Sequence, residues 1–230
     1  MELKNIVPWG RSFDEYKKMF SLSDFDLQKT ILGCGDGPAS FNAELSARGG
    51  KVTSIDPVYQ FNAESLKSRI TEAYDEIMPQ MVANKDQYIW ESIPSVEMLG
   101  QTRMSAMKRF ILDYENGKAT GRYRNESLPK LSFSNQQFDL ALCSHYLFLY
   151  SDQIDFAAHL TAINELCRVA IEVRIYPLVA LNGEISPHLE KIIAALDTTS
   201  FISKLVDIDY QFQKGATQML VIKRGKKSIA

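Results

Sequence analysis

The sequence has 230 residues, 45% of them hydrophobic and 23% charged, which is typical of one sizeable globular domain rather than two. Its net charge of −2 at pH 7 supplies no general positive field, so a nucleic acid is not the expected partner. No apolar run approaches the roughly 18 residues that a membrane span needs, and no membrane partner is expected.

The first residues and the cysteines favour a cytoplasmic protein with reduced thiols. The opening "MELKNIVPWG" lacks the apolar region of a secretory signal, so the cytoplasm is the expected compartment. Cys34, Cys143 and Cys167 are odd in number, widely spaced and free of any C-x-x-C pattern. Neither a disulfide framework nor a metal site is predicted.

The first predicted unit is strand, loop, helix and strand. "KTIL" is a short apolar strand, and "ASFNAELSARGG" predicts a helix with Pro38 in its first turn and a glycine at its end. "KVTSIDP" predicts a second strand that ends at Pro57. A crossover of this kind joins neighbouring strands of a parallel sheet.

Residues 61–120 predict a helical insertion within a single domain that spans residues 1–230. Two helical patterns occupy this range, with interruptions expected near Pro79 and Pro94. A crossover between parallel strands usually needs one helix of about a dozen residues, so the rest is in excess. The insertion could form a lid or substrate wall, or it could simply pack on the sheet edge.

The remainder alternates strands and helices until a final antiparallel pair. The segment from Phe138 to Cys143 predicts a strand, "IDFAAHLTAINELCRV" an amphipathic helix and "AIEVRIYPLVAL" a buried strand. "SPHLEKIIAALDTT" predicts another helix, and the last two strands are predicted to be joined at Lys214 and Gly215.

The loop "GCGDG" is typical of nucleotide sites, yet it lacks the features of two common ones. The third glycine of a dinucleotide fingerprint is replaced by Pro38, and no lysine followed by Ser or Thr makes a phosphate loop. Gly33, Gly35 and Gly37 still permit close backbone approach to an amino-acid moiety and a ribose. Asp56 follows Gly37 by 19 residues, which is the distance expected for a carboxylate that binds ribose hydroxyls.

On these residues the sequence resembles class I S-adenosylmethionine-dependent methyltransferases. "ILGCGDG" is similar to the family's first motif, "VTSIDP" to its second, and "SLPKLSFSNQQFDLALCSH" to its third and fourth. The resemblance covers nearly the whole chain and is nearest to a small bacterial group of unestablished substrate. It implies an α/β Rossmann-like sheet of seven strands in the order 3-2-1-4-5-7-6, with the last strand antiparallel and a helical insertion after strand 2.

The resemblance also implies an enzyme that binds S-adenosylmethionine and releases S-adenosylhomocysteine. The glycine loop would line the methionine and ribose portion, Asp56 would bind the ribose diol, and residues near 127 would meet the adenine. Residues past the fourth strand would lie near the methyl group, with His145 as the candidate catalytic base. The cofactor-binding residues implied are Gly33, Cys34, Gly35, Asp36, Gly37, Asp56, Pro57, Ser127, Leu128, Cys143, Ser144 and His145.

Two positions depart from the family pattern. The acid that often stands two residues before the first glycine is Ile31 here, so Asp36 or a backbone carbonyl would have to bind the methionine amine. The acid usual at position 127 is a serine, which weakens the expected contact to the adenine amine.

Several polar and aromatic segments have both a functional and a structural interpretation. "PWGRSFDEYKKMF" could fold over the cofactor, but the spacing of its aromatic residues favours a docked amphipathic helix. "EVRIYPLVAL" could form a substrate wall, or its charges could pair with each other. Basic residues in and just after the insertion could bind an acidic substrate; these are Arg103, Lys108, Arg109, Arg122 and Arg124. The interleaved acids Glu97, Asp113 and Glu115 favour a solvated helix face instead.

The predicted function is methyl transfer to an unidentified acceptor by in-line displacement. A small molecule under the helical insertion is the leading acceptor, with a protein side chain second, and the sequence does not indicate an oligomeric state. The alternatives are a non-catalytic S-adenosylmethionine-binding or regulatory protein and, with less support, a nicotinamide-dependent oxidoreductase, which Pro38 and the terminal strand pair disfavour.

Overall fold

A mixed sheet of seven strands forms the centre of the protein in the computed structural model, which describes residues 8–225. The strands are β1 (Thr30–Cys34), β2 (Lys51–Ile55), β3 (Tyr123–Arg124), β4 (Phe138–Ser144), β5 (Ala170–Tyr176), β6 (Phe201–Asp207) and β7 (Gln218–Arg224). Within the described range six α-helices accompany them: α1 (Phe13–Met19), α2 (Phe41–Ala47), α3 (Ala63–Ala83), α4 (Val96–Ala119), α5 (Phe156–Val169) and α6 (Leu189–Asp197).

The strand order confirms the predicted fold. The strands lie in the order β3-β2-β1-β4-β5-β7-β6. β1 pairs in parallel with β2 and β4, and β4 with β5, whereas β7 runs antiparallel to both β5 and β6. This is the seven-stranded α/β sheet of class I methyltransferases.

Both faces of β1 and β4 are largely buried, so their sequences are mainly apolar. On β1, Leu32 faces the core that α5 and α6 cover, whereas Ile31 faces the core that α1 and α2 cover. The same alternation on β4 places Ala141 against the first group of helices and Leu142 against the second. The carboxyl ends of β1, β2, β4 and β5 therefore meet at one edge of a fully packed sheet.

Two prolines behave differently from the prediction. α2 begins at Phe41, so Pro38 lies in a turn before the helix, where the N–H of Ala39 bonds to the carbonyl of Asp36 at 3.2 Å. α3 continues through Pro79 without interruption. Pro79 is exposed, so the carbonyl that loses its helical partner lies on the solvent side, while buried Ile77 and Met81 hold the helix on either side.

The predicted insertion forms two long helices that pack on each other and on the sheet edge. α4 meets both α3 and α2, and an aromatic cluster joins α4 to the edge strand β3. In that cluster the hydroxyl of Tyr114 donates to the backbone carbonyls of Tyr59 and Phe61 at 2.9 and 2.8 Å. Among residues 8–225, no helix is both long and apolar enough to cross a bilayer.

The charged residues of β5 form a structural network rather than a substrate wall. Arg174 donates to Glu172 at 2.7 Å, to Asp26 at 3.2 Å and to the carbonyl of Phe20 at 2.7 Å. Glu172 and Arg174 are both buried. Of the two interpretations of this segment, mutual pairing is therefore the one that the structure supports for these two side chains.

Candidate functional site

Two adjoining cavities open at the carboxyl ends of the parallel strands. Gly35, Asp56, Val58 and His145 line both of them. We call the first the β2 cavity, which is also lined by Cys34, Ile55, Pro57, Glu126, Ser127, Leu128 and Tyr146. The second, the aromatic cavity, lies on the other side of the glycine loop and is lined by Trp9, Arg11, Tyr16, Asp36, Tyr88, Arg103, Ser144, Tyr150, Tyr176 and Phe212 among others.

Asp56 is held at the boundary between the cavities by two backbone donors. One carboxylate oxygen accepts the N–H of Gly37 at 2.9 Å, and the other accepts the N–H of Val58 at 2.9 Å. A carboxylate can accept about four hydrogen bonds, so each oxygen keeps capacity for one more donor. Burial raises the pKa of Asp56, while the two N–H bonds oppose that rise. The side chain is thus fixed in orientation and able to bind a diol.

The glycine loop has a conformation that suits only small residues at two positions. Gly35 and Gly37 have φ values of +69° and +51°, in the left-handed region. A Cβ on Gly35 would also lie 3.0 Å from the Cβ of Tyr146. The N–H of Gly35 bonds to the carbonyl of Ile55 at 3.1 Å, which ties the loop to the end of β2.

Asp36 turns back beneath the loop and is almost completely buried. Its carboxyl group accepts the hydroxyl of Tyr16 at 2.8 Å and the hydroxyl of Ser54 at 2.5 Å. A Cβ on Gly33 would lie 1.8 Å from an Asp36 oxygen, so the glycine makes room for this side chain. Burial raises the pKa of Asp36 to about 7, against the two hydroxyl bonds, and the charge of Asp56 adds to the rise.

The replacement Asp36→Asn is expected to make the stability of the ligand-free protein less sensitive to rising pH. The folded pKa of Asp36, about 7, exceeds its unfolded value. The free energy of unfolding therefore falls as pH rises between these two pKa values, because the folded protein retains the proton that the unfolded chain has lost. The variant lacks this loss, so its stability relative to the unaltered protein should rise by about 2–3 kcal/mol between pH 5 and pH 8. Urea unfolding at both pH values measures the difference, and a pH-independent difference would contradict the account.

His145 stands at the boundary of both cavities in a strained backbone conformation. Its φ is +50°, which is uncommon for a residue other than glycine, and its N–H bonds to the carbonyl of Tyr176 at 2.8 Å. Its Nδ1 lies 3.0 Å from the hydroxyl oxygen of Ser144. Burial, with the charges of Arg11 and Arg103, lowers the pKa of His145 well below its usual value. The imidazole is therefore neutral at physiological pH.

Most of the site residues expected from the sequence come together here, with two exceptions. Cys34, Pro57, Ser127 and Leu128 line the β2 cavity, and Asp36, Gly37 and Ser144 line the aromatic cavity. Cys143 is fully buried in the core and Gly33 lies against Asp36, so neither belongs to a cavity wall. In the N-terminal segment Phe13 packs in the core, as a docked helix requires, while Trp9 and Arg11 line the aromatic cavity.

The sequence did not indicate several residues of the cavity walls. Glu126 lines the β2 cavity one position before the expected acid, but its carboxylate already accepts two bonds from Ser132 at 2.8 Å and pairs with Arg124 at 3.1 Å. Tyr88 and Phe212 face the aromatic cavity from distant parts of the chain, and their ring centroids lie 5.0 Å apart. Nothing local in the sequence marks these two side chains as neighbours.

The arginines of the insertion region divide into surface and buried groups. Arg109 is exposed on α4 and pairs with Glu44 at 3.0 Å, as a solvated helix face requires, whereas Arg122 follows α4, is partly buried and pairs with Asp113 at 2.7 Å. Arg103 is only 1% exposed, pairs with Glu15 and lines the aromatic cavity. The interpretation as a solvated face is therefore wrong for Arg103.

A curated relative decides the family. The uncharacterized protein MJ0045 of Methanocaldococcus jannaschii is 32% identical over 225 residues, which cover 97% of this chain and 99% of that protein. The chain belongs to the MJ0045 family. This member of the family is archaeal, so the expected membership of a bacterial group is not confirmed. No described family profile matches the sequence.

Solved structures that resemble the chain include three methyltransferases. The magnesium protoporphyrin IX methyltransferase ChlM from Synechocystis PCC 6803 has a TM-score of 0.47 at 14% identity, over 93% of this chain and 78% of that one. A putative S-adenosyl-L-methionine-dependent methyltransferase from Methanococcus maripaludis has a TM-score of 0.48 at 9% identity, over 95% and 85%. The bifunctional kinase–methyltransferase WbdD has a TM-score of 0.49 at 11% identity over 92% of this chain, which spans 40% of WbdD. The fold assignment rests on the strand order and directions given above.

Proposed function

We propose that the protein is an S-adenosylmethionine-dependent methyltransferase that acts on a small molecule. The observation that carries the proposal is the position of Asp56, fixed by two N–H bonds where the two cavities meet at the glycine loop. A carboxylate at the end of the second strand, beside the loop that follows the first, is suited to a ribose diol. The two cavities then offer separate places for the two ends of one nucleoside cofactor.

The β2 cavity suits the adenosine half. The apolar side chains of Leu128 and Val58 provide a wall for a purine face, and Ser127 provides a hydroxyl for its edge. Glu126 is engaged by Arg124 and Ser132, so it does not replace the acid that the family usually has at position 127. Cys34 and Pro57 complete the wall nearest Asp56.

The glycine loop and Asp36 suit the amino-acid half. The backbone at Gly35 and Gly37 leaves the approach to the aromatic cavity free of side chains, as a close-fitting methionine chain requires. Asp36 would bind the cationic amine in place of the acid absent at Ile31. A cation at this point favours the ionised carboxylate, whose pKa in the ligand-free protein is about 7.

Alignment is the main catalytic contribution of these residues. The cofactor supplies a methyl group on a sulfonium with a good leaving group, so no covalent intermediate with the protein is needed. Holding donor and acceptor in attack geometry contributes roughly 7–11 kcal/mol to lowering the barrier. His145, held by its backbone N–H at the Tyr176 carbonyl and with its imidazole beside Ser144, is the candidate base for a hydroxyl or amine acceptor, and its lowered pKa makes it a weak one.

The helices of residues 61–120 would form the acceptor wall within a single domain of residues 1–230. Ile77 and Met81 of α3, Arg103 of α4 and Tyr88 between the two helices all line the aromatic cavity. This placement supports the interpretation as a substrate wall, and the packing of α4 on α2 supports a structural role as well.

A methyl-transfer assay tests the proposal. The purified protein would be incubated with methyl-labelled S-adenosylmethionine and the small-molecule fraction of a cell extract, with Asp56→Ala as the matched inactive variant. We expect label in a low-mass product with the unaltered protein only. Label in the protein fraction would instead support the second acceptor class, and cofactor binding without any transfer would support a non-catalytic binding protein.

A further inference from the structure

Of the two arginines that line the aromatic cavity, only Arg103 has a carboxylate partner among residues 8–225. Glu15 is 6% exposed and pairs with Arg103. The same carboxylate accepts the N–H and the hydroxyl of Ser12 at 2.9 and 3.0 Å, and the hydroxyl of Tyr210 donates to its other oxygen at 2.9 Å. Glu15 is thereby fully engaged with partners other than Arg11.

Arg11 has one hydrogen bond and no carboxylate partner among residues 8–225. Its Nη1 donates to the carbonyl of Trp9 at 2.7 Å, while its Nε is buried without a partner in that range. The Nε of Arg103 is also buried and unpartnered there. Burial and the charge of Arg103 lower the pKa of Arg11, against the opposing charge of Glu15. Asp36 and Asp56 also line the cavity, but no bond joins either carboxyl to Arg11 among these residues. Arg11 is therefore a cation with free donors, which is costly unless an anion binds.

The rest of the cavity beyond the glycine loop is apolar and aromatic. Tyr88 and Phe212 are in ring contact, and the hydroxyl of Tyr176 is engaged by the carbonyl of Ala216 at 3.2 Å. Leu181 and Met81 extend the apolar wall. A ligand that fits this wall has an apolar, ring-sized body with an anionic group at one end.

We propose that the methyl acceptor is a small carboxylic acid with an apolar body, whose carboxylate binds Arg11 in the aromatic cavity. The inference rests on the proposed function and adds the substrate class. A single guanidinium without a carboxylate bond, in a cavity that also holds the carboxyls of Asp36 and Asp56, matches a monoanion better than a dianionic phosphate. Arginine presents a planar fork of donors that fits a carboxylate with two hydrogen bonds, which gives the acceptor a fixed orientation.

Calorimetric titration of the protein saturated with S-adenosylhomocysteine tests this inference. The probes are benzoate and 3-phenylpropionate, with benzamide and 3-phenylpropionamide as neutral isosteres and phenyl phosphate as the dianion. We expect an acid to bind at least ~10-fold more tightly than its amide, since a hydrogen bond to a charged group contributes about 1.5–3 kcal/mol. Arg11→Gln should remove that preference, and Arg109→Gln, which alters an exposed arginine paired with Glu44, should retain it.

The same titrations separate failure of the inference from failure of the proposed function. Equal affinity for acid and amide, no binding of either acid, tighter binding of phenyl phosphate, or an undiminished preference in Arg11→Gln would overturn the inference alone. A loss of S-adenosylhomocysteine affinity in Arg11→Gln would assign the arginine to the cofactor carboxylate and would also overturn it. An unaltered protein that does not bind S-adenosylhomocysteine would contradict the proposed function itself.

Discussion

The replacement Asp56→Ala is expected to weaken the binding of S-adenosylhomocysteine by at least ~100-fold. Two hydrogen bonds from ribose hydroxyls to a carboxylate contribute about 1.5–3 kcal/mol each. The variant also loses the acceptors of the Gly37 and Val58 N–H groups, which hold the glycine loop against the end of β2. Isothermal titration of both proteins measures the effect.

Two further variants show whether this loss is specific to the ribose site. Asp56→Asn keeps one carbonyl acceptor and should lose less affinity than Asp56→Ala. Asp139→Asn alters another carboxylate that accepts a backbone N–H, from Thr30 at 2.8 Å, but at the amino ends of β1 and β4. It should leave the affinity unchanged. If Asp56→Ala folds and binds as tightly as the unaltered protein, the assignment of the ribose site is wrong.

The replacement Arg103→Met is expected to lower the free energy of unfolding by about 3–5 kcal/mol at pH 7, because it leaves the buried Glu15 carboxylate without a counter charge. The double variant Glu15→Gln/Arg103→Met removes both charges and should recover a large part of the loss. Urea unfolding of the two single variants and the double variant forms the thermodynamic cycle.

The loss in Arg103→Met is also expected to depend on pH. Burial tends to raise the pKa of Glu15, but the charge and hydrogen bond of Arg103, with the Ser12 backbone, hold it at about 2. In the unaltered protein this group therefore stabilises the fold above its unfolded pKa, and that contribution is lost as pH falls toward 2. Without Arg103, burial dominates and raises the pKa of Glu15 above its unfolded value. The variant is then least destabilised where Glu15 is protonated, so its loss of unfolding free energy should be smaller at pH 4 than at pH 7. A deficit that does not change with pH would contradict the role of the pair.

The first strand–loop–helix–strand unit and the position of Asp56 could be predicted because their signals are local, whereas the full sheet order was implied by the family resemblance. The glycine loop, the apolar strands and the acid at the end of β2 lie within about 30 residues, and the loop and acid depend on few distant contacts. The parallel crossover then places Asp56 beside Gly37 by geometry alone. The family resemblance implied Ser127 and Leu128 for the same site, and both line the β2 cavity.

The burial of Arg103 could have been predicted from its helical spacing, but the charged residues around it favoured the interpretation as a solvated face. Leu99, Arg103, Ala106 and Phe110 follow one face of α4 at helical spacing, and all four are buried. That spacing indicates that position 103 faces inward, whereas Arg109 lies off the stripe and is exposed. Acidic residues lie near both Arg103 and Arg109 in the sequence, so their presence does not distinguish the two arginines, although only Arg103 needs a buried partner.

The aromatic cavity could not be predicted from any one segment. Its walls come from residues near 9, 88, 145, 176 and 212, which meet only through tertiary packing. The N–H of Ile89, in the insertion, bonds to the carbonyl of Phe212, between β6 and β7, at 2.7 Å. These two positions are far apart in the chain. The continuation of α3 through Pro79 also depends on tertiary packing, because burial of Ile77 and Met81 outweighs the local cost of a proline.

Parallel isothermal titrations with S-adenosylhomocysteine, S-adenosylmethionine and NADH test the central claim most directly. The account predicts that the first two bind with one site per chain, that NADH does not, and that Asp56→Ala abolishes the binding. Uptake of NADH without binding of either sulfur nucleoside would contradict the account and support a nicotinamide-dependent oxidoreductase.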